Sequence, residues 1–170
     1  MWFEDEARFG QQGTLTHVWA PRGSRPAAPK QVGYSNLQVL TAVCPQTGRA
    51  EGLVAEKLDA GMTQLFLDQL AATIPRGTHV VLVWDGAGWH TASAVVPPGN
   101  VTLVRLPPYS PELNPVERLW HYIREHHWSN RVYAGIQELE DAAIAGWRAV
   151  CLRPDLIKSV CRCEYAASGS

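Results

Sequence analysis

Apolar residues in the first half of the chain fall in short runs with turn residues between them. Residues 2–5, 14–19, 37–44 and 51–55 are β-prone stretches set off by Gly10, Gly13, Pro45 and Gly48. Such a succession predicts an antiparallel meander. The period then changes. Met62, Leu65, Phe66, Leu70 and Ile74 recur at helical spacing until Pro75-Arg76-Gly77 interrupts them, and the unbroken apolar run Val80–Trp84 follows. A helix leading into a buried strand predicts a crossover connection.

Residues 101–105 predict another short strand, followed by a segment, 106–115, that holds Pro107, Pro108, Pro111 and Pro115. Each proline fixes its own φ and restricts the residue before it, so this loop is predicted to hold one shape. Asn114-Pro115-Val116-Glu117 then reads as N-cap, N1, N2 and N3 of a helix continued by Leu119, Trp120 and Ile123, which puts Glu117 in its first turn. A last amphipathic helix is predicted over residues 136–150, through Leu139, Ala143, Trp147 and Val150, ahead of a tail rich in small residues. The succession predicts an α/β fold in one domain over residues 1–165, with a tail at 166–170; a chain of 170 residues can bury a sufficient core by itself.

Composition acts mainly by exclusion. A hydrophobic fraction of 46% and a charged fraction of 18% are ordinary globular values. No apolar run is long enough to span a bilayer and no leader is visible at Met1, so the expectation is a cytoplasmic protein without a membrane partner. Cys44, Cys151, Cys161 and Cys163 contain no CxxC pair, and the last two are too near in sequence for an ordinary disulfide, which predicts reduced thiols. A net charge of −1 does not advertise a polyanion partner, so any nucleic-acid contact has to be local. Residues 21–30, with Arg22, Arg25, Lys30 and no acidic residue, are the candidate for a phosphate contact. An ordinary solvated loop is the equal alternative.

The chemistry rests on carboxylates at strand ends and rigid turns. Asp5 follows Trp2-Phe3-Glu4, Asp85 ends the apolar run, and Glu117 follows the proline segment. If the first strand lies beside the one ending at Trp84, Asp5 and Asp85 come close enough to raise each other's pKa unless a cation neutralises them. Oxygen ligands of this kind suit Mg²⁺ or Mn²⁺, and two such ions can activate an attacking oxygen and stabilise a leaving one. Each residue also has a structural reading: Asp85-Gly86 is a common turn pair, Glu117 is spaced for a capping box with Asn114, and Asp5 stands among Glu4 and Glu6. His90 fits an active-site base, a phosphate contact or a hydrogen-bonded loop histidine. His121, His126 and His127 match no usual zinc spacing, and Trp120, Trp128 and Trp147 read as packing anchors.

Three stretches carry a resemblance: Phe3-Glu-Asp5-Glu-Ala-Arg8-Phe-Gly10, Trp84-Asp85-Gly-Ala-Gly-Trp-His90, and Leu106-Pro-Pro-Tyr109-Ser-Pro-Glu-Leu-Asn114-Pro-Val-Glu117-Arg118-Leu-Trp120. In this order they resemble the bacterial insertion-sequence transposases of the mariner superfamily, and the proline-rich block is the most specific part. The resemblance implies a ribonuclease-H-like catalytic domain with a mixed central sheet, antiparallel early strands, later parallel strands and flanking helices. It implies that Asp5, Asp85 and Glu117 hold two magnesium ions, cleave DNA at transposon ends and join the freed 3′ hydroxyl to target DNA. Joining two ends in one event would suit a homodimer, although the sequence shows no heptad seam for one. His90, Asn114 and Arg118, with Arg8 and Tyr109, lie inside the matching motifs as residues that touch DNA or orient ligands.

Two departures stand against full activity. Relatives carry helix-turn-helix modules ahead of this core, whereas here four residues precede Asp5, which predicts a short first strand and no specific recognition of transposon ends. The interval from Asp85 to Glu117 is 117 − 85 = 32 positions, a little short for the family. A catalytically inactive truncated remnant that binds DNA or a partner, and another ribonuclease-H-like nuclease, are the competing functions.

Overall fold

A computed structural model describes residues 1–13, 15–17, 19–27, 31–85, 95–163 and 165. The strands are β1 Trp2–Gly10, β2 Asn36–Cys44, β3 Arg49–Ala55, β4 Val80–Trp84 and β5 Val101–Arg105. The helices are α1 Ala60–Thr73, α2 Val116–Ile123, α3 Ile136–Cys151 and α4 Pro154–Val160, with a 3₁₀ turn at Pro111–Leu113 and a π-helical stretch at Arg124–Trp128. One sheet runs in the order β3-β2-β1-β4-β5. β1, β2 and β3 pair antiparallel, whereas β4 joins β1, and β5 joins β4, in parallel. This is the mixed sheet that the sequence predicts.

Alternation along the strands divides the core in two. Phe3, Ala7 and Phe9 of β1 and Val39 and Val43 of β2 face Leu119, Trp120 and Ile123 of α2, Leu139 and Ala143 of α3, and Ile157 of α4. Trp2, Leu40, Ala42, Leu82 and Trp84 face Phe66, Leu67 and Leu70 of α1 on the other side. Val83 of β4 joins the first cluster, so β4 is apolar on both faces, as a parallel strand covered by helices on each side must be. α3 sits close to β3: the Trp147 indole occupies the space that a Cβ on Gly52 would need and donates to Thr41 Oγ1 at 2.8 Å.

Several expectations are corrected. β1 is not short; Ala7 pairs with Val39 and Phe9 with Leu37, which carries the strand to Gly10. Residues 15–17 and 19 form no strand, while Thr14 and Val18 lie outside the described residues. The reason is a contact distant in sequence: the Thr16 N–H donates to Asn130 Oδ1 at 3.2 Å and the Thr16 carbonyl accepts from Asn130 Nδ2 at 3.3 Å, so a side chain takes the bonds a ladder would need. The buried stripe of α1 is Thr63, Phe66, Leu67 and Leu70, and Leu65 is exposed. α4, begun by Pro154 and buried through Ile157, stands in a stretch for which the sequence suggested no element. Four cysteines are free and buried, as expected of reduced thiols. Among the described residues no helix is long and apolar enough to cross a membrane.

Candidate active site

The parallel pairing of β1 with β4 sets the first part of the site. Trp2 lies opposite Leu82 and Phe3 opposite Val83, an offset of 82 − 2 = 83 − 3 = 80. The same offset carries Asp5 to Asp85, one residue past the end of β4. Side chains two apart in a strand share a face, so Asp5 follows Phe3 toward α2. Asp5 is buried and Asp85 half-buried. Together with Glu6, each offers a carboxylate oxygen within 4.8 Å of the others.

The proline segment brings in the third residue. The Leu106 N–H donates to the Trp84 carbonyl at 2.8 Å, which starts the segment beside Asp85. Its far end is tied to β1 by one side chain: buried Asn114 donates through Nδ2 to the Glu4 carbonyl at 2.9 Å and accepts at Oδ1 from the Val116 N–H at 3.2 Å. Pro115 is already helical at φ −65° and ψ −15°, so Asn114 caps α2 as the sequence suggests. The capping box does not close, because the Asn114 N–H donates to the Pro111 carbonyl at 2.9 Å. Glu117 instead lines a cleft of about 730 Å³ together with Asp5, Asp85, Asn114, Arg105 and residues 106–111. Along α2, the Trp120 indole donates to Asp5 Oδ2 at 3.1 Å. Trp120 is thus a core residue, as predicted, and also a direct partner of a cleft carboxylate.

Burial pushes the Asp5 carboxyl up to about 8, and the charges of Glu117, Glu6 and Asp85 push in the same direction, against a small opposing effect of the Glu6 backbone N–H. Like charges were the cause expected from the sequence; desolvation comes first. Glu4, on the opposite face of β1, is also held well above the usual carboxylate range by burial and then by Glu6, Asp5 and Asp85. A site that gathers this many carboxyls, Asp5 buried among them, is one that a cation would relieve. The donors are all carboxylate oxygens, which fits a hard divalent ion and does not fit a soft one.

Other predicted residues lie elsewhere. The Arg118 guanidinium donates to the Arg162 carbonyl at 2.6 Å and does not line the cleft. Arg22 and Arg25 are exposed and do not line it either, whereas Lys30 and His90 fall outside the described residues. His121 faces Glu125 at 3.3 Å and the His126 ring stacks on Tyr122. Glu6 and Arg105 were not anticipated from the sequence. Glu6 was hidden by the alternation rule, which turns its Cβ away from Asp5. Arg105 was visible only through register, since it pairs with Trp84, the residue before Asp85.

Residues 1–140 match the family model described as DDE superfamily endonuclease. An uncharacterized protein of Sinorhizobium fredii, y4pE/y4sA, is 37% identical over 128 residues, which are 75% of this chain and 95% of that protein. Among solved structures, the Mos1 mariner paired-end complex with Mn aligns with 94% of this chain and 51% of its own at a TM-score of 0.66 and 18% identity. The Mos1 strand transfer complex gives 0.65 at 19% identity over 94% of this chain and 50% of its own. The chain therefore spans about half the length of these Mos1 chains, and at such identity the likeness establishes the shared ribonuclease-H-like fold.

Proposed function

The chain belongs to the DDE superfamily of endonucleases, and from that membership we propose that it is the catalytic domain of a bacterial insertion-sequence transposase that cleaves DNA and joins the freed end to a target. The observation that carries this reading is the convergence of Asp5, Asp85 and Glu117, from two adjacent parallel strands and one helix N-terminus, on a single cleft. The Mos1 structures, captured as a paired-end complex with Mn and as a strand transfer complex, lend support through the fold they share with it.

Asp5 and Asp85, with Glu117 across the cleft, would hold Mg²⁺ or Mn²⁺, two ions in the full reaction. When bound, such ions supply charge neutralisation at phosphate oxygens and lower the pKa of an attacking water. The chain's own residues do the positioning. Asn114 fixes the start of α2 against β1, and so fixes where Glu117 enters. The Trp120 indole N–H holds Oδ2 of Asp5 and so orients its carboxyl group. Exposed Arg105, on the rim, is placed for a phosphate oxygen. In the first step a water oxygen attacks phosphorus and the bond to the 3′ oxygen breaks, leaving a 3′ hydroxyl and a 5′ phosphate. In the second, that hydroxyl oxygen attacks a target phosphorus and displaces the target's 3′ oxygen. Both are in-line displacements without a covalent enzyme intermediate. Because two ends are joined in one event, a homodimer on DNA is expected, acting in the cytoplasm.

The test is cleavage of supercoiled plasmid, and of duplex, branched and RNA–DNA hybrid oligonucleotides, in Mn²⁺ and in Mg²⁺, by wild type and Asp85→Asn. Metal-dependent nicks in DNA that end in a 3′ hydroxyl and vanish in the variant are expected. Preference for the hybrid would transfer the site to another ribonuclease-H-like nuclease. No turnover in either metal, or turnover unaffected by the substitution, would leave the chain a non-catalytic remnant.

A further inference from the structure

Tyr109 is fully exposed, at 100% of its available surface, and its backbone sits in the left-handed region at φ 57°. Glycine or asparagine fills that region at least cost, and a bulky residue there is strained. A tyrosine placed for packing would bury its ring, yet this one covers nothing among the described residues. Packing of the ring therefore does not offset the strain; the frame around Tyr109 imposes it.

That frame is independent of the ring. Pro107 and Pro108 precede Tyr109 and Pro111 follows it. The Ser110 hydroxyl donates to the Pro108 carbonyl at 3.4 Å, and the Leu113 N–H donates to the Ser110 carbonyl at 3.1 Å. The Tyr165 hydroxyl donates to the Leu113 carbonyl at 2.6 Å, which holds the end of the turn from outside. A flat aromatic surface is thus presented to solvent from a stiff support, and it lines the same cleft as Asp5, Asp85 and Glu117. On a rigid support a stacking contact costs little ordering entropy.

We propose that Tyr109 is a stacking platform for the nucleobase beside the phosphate held at the carboxylates, and so selects DNA in which that base is unpaired or can leave the helix. The inference rests on the DNA reading of the cleft. Every nucleobase has a π-face, so such a platform tolerates sequence and discriminates by whether the base is free to stack. It gives the cleft a preference for a frayed or distorted strand at the cutting position, which the carboxylates alone cannot supply.

The test uses oligonucleotide duplexes with 2-aminopurine at each position flanking the nick mapped in the cleavage assay, paired or opposite an abasic site, with Ca²⁺ replacing the reactive metal. Wild type, Tyr109→Phe and Tyr109→Gly are compared. Quenching of one flanking 2-aminopurine by wild type and by Tyr109→Phe, its loss in Tyr109→Gly, and affinity about tenfold weaker in the glycine variant are the expected results. Because glycine accepts φ 57° without strain, the thermal midpoint of Tyr109→Gly should be equal to or above that of wild type, which separates loss of the ring from loss of fold. Quenching and affinity retained in Tyr109→Gly would overturn the platform while leaving the DNA reading intact. Absence of DNA binding and cleavage by wild type would overturn both.

Discussion

Among the described residues, two connections carry a fully exposed aromatic side chain, and they are built in opposite ways. Residues 106–115 contain four prolines, run from the end of β5 to the start of α2, and are fastened to the sheet by Leu106 and Asn114. The connection from β1 to β2, residues 11–35, carries Trp19 at 104% exposure with exposed Arg22 and Arg25. It is fastened by Thr16 to Asn130 and by Gln31, whose side chain donates to the Tyr133 carbonyl at 2.6 Å and accepts from the Tyr133 N–H at 2.7 Å. Of the two, among the described residues, only the first lines the carboxylate cleft. Metal ligation and in-line attack require placement to within about half an ångström, and that is where the chain uses prolines and a buried cap. Long-range attraction to a phosphate backbone needs charge and reach, and tolerates a looser support.

The largest effect that sharpens this contrast comes from the carboxylates. Asp85→Asn or Glu117→Gln should reduce metal-dependent cleavage by at least about a thousand-fold, because several kcal/mol of transition-state stabilisation go with the ion. Thermal melts of the metal-free proteins should be unchanged or raised, since each substitution removes a like charge beside Asp5. A melt lowered by several degrees would mean the residue serves the fold and not the site.

Asn114→Ala comes next. It leaves the Glu4 carbonyl and the Val116 N–H without their buried partner, at a cost of about 1–3 kcal/mol measured by denaturant unfolding. Cleavage should fall with it while Asn114→Asp, which keeps the cap acceptor, restores part of the stability. Equal stability of Asn114→Ala and wild type would contradict the claim that this side chain fixes α2.

Dependence on pH follows from Asp5. Its folded carboxyl keeps a proton up to about 8, whereas the unfolded group loses it near 3.8, so between these values the folded state binds more protons. Stability of the metal-free protein should be greatest at the acid side of that window and decline as pH rises through it. Binding of Mn²⁺ at pH 7 should release a proton, seen as a calorimetric enthalpy that varies with the buffer. Trp120→Phe removes an N–H that donates to the Asp5 carboxylate and favours its ionised form, so it should move metal binding to higher pH. An unmoved profile would show that the indole bond does not tune Asp5.

The smallest effect belongs to the other connection. Arg22→Ser with Arg25→Ser should leave cleavage of saturating DNA unchanged and reduce the salt slope of DNA affinity by at most about 0.9 for each phosphate no longer neutralised. A change in cleavage rate as large as that of Asn114→Ala would break the contrast drawn between the two segments.

Much of this was legible in the sequence because the decisive features are local. Val80–Trp84 could only be a buried strand, the four prolines announced a fixed loop, and Asn114-Pro115 marked the start of α2 to within a residue. Asp85 and Glu117 followed from those three, whereas Asp5, standing between Glu4 and Glu6, was marked out chiefly by the resemblance. What stayed hidden was set by contacts distant in sequence. Residues 14–19 had the composition of a strand, but Asn130, more than a hundred residues on, took the bonds of Thr16. The continuation of β1 to Gly10 depended on β2. Glu6 joined the carboxylate cluster against the alternation rule, and the bond from Trp120 to Asp5 could not be read from helical periodicity, which marks a buried face without saying what it touches.

The most direct measurement is calorimetric titration with Mn²⁺ of wild type, Asp85→Asn and Glu117→Gln. Wild type should bind the ion. Binding should be lost in Asp85→Asn, whose carboxylate stands within 4.8 Å of those of Asp5 and Glu6, and weakened in Glu117→Gln, which lines the same cleft outside that cluster. No binding by wild type, or binding indifferent to both substitutions, would contradict a metal site built from these carboxylates.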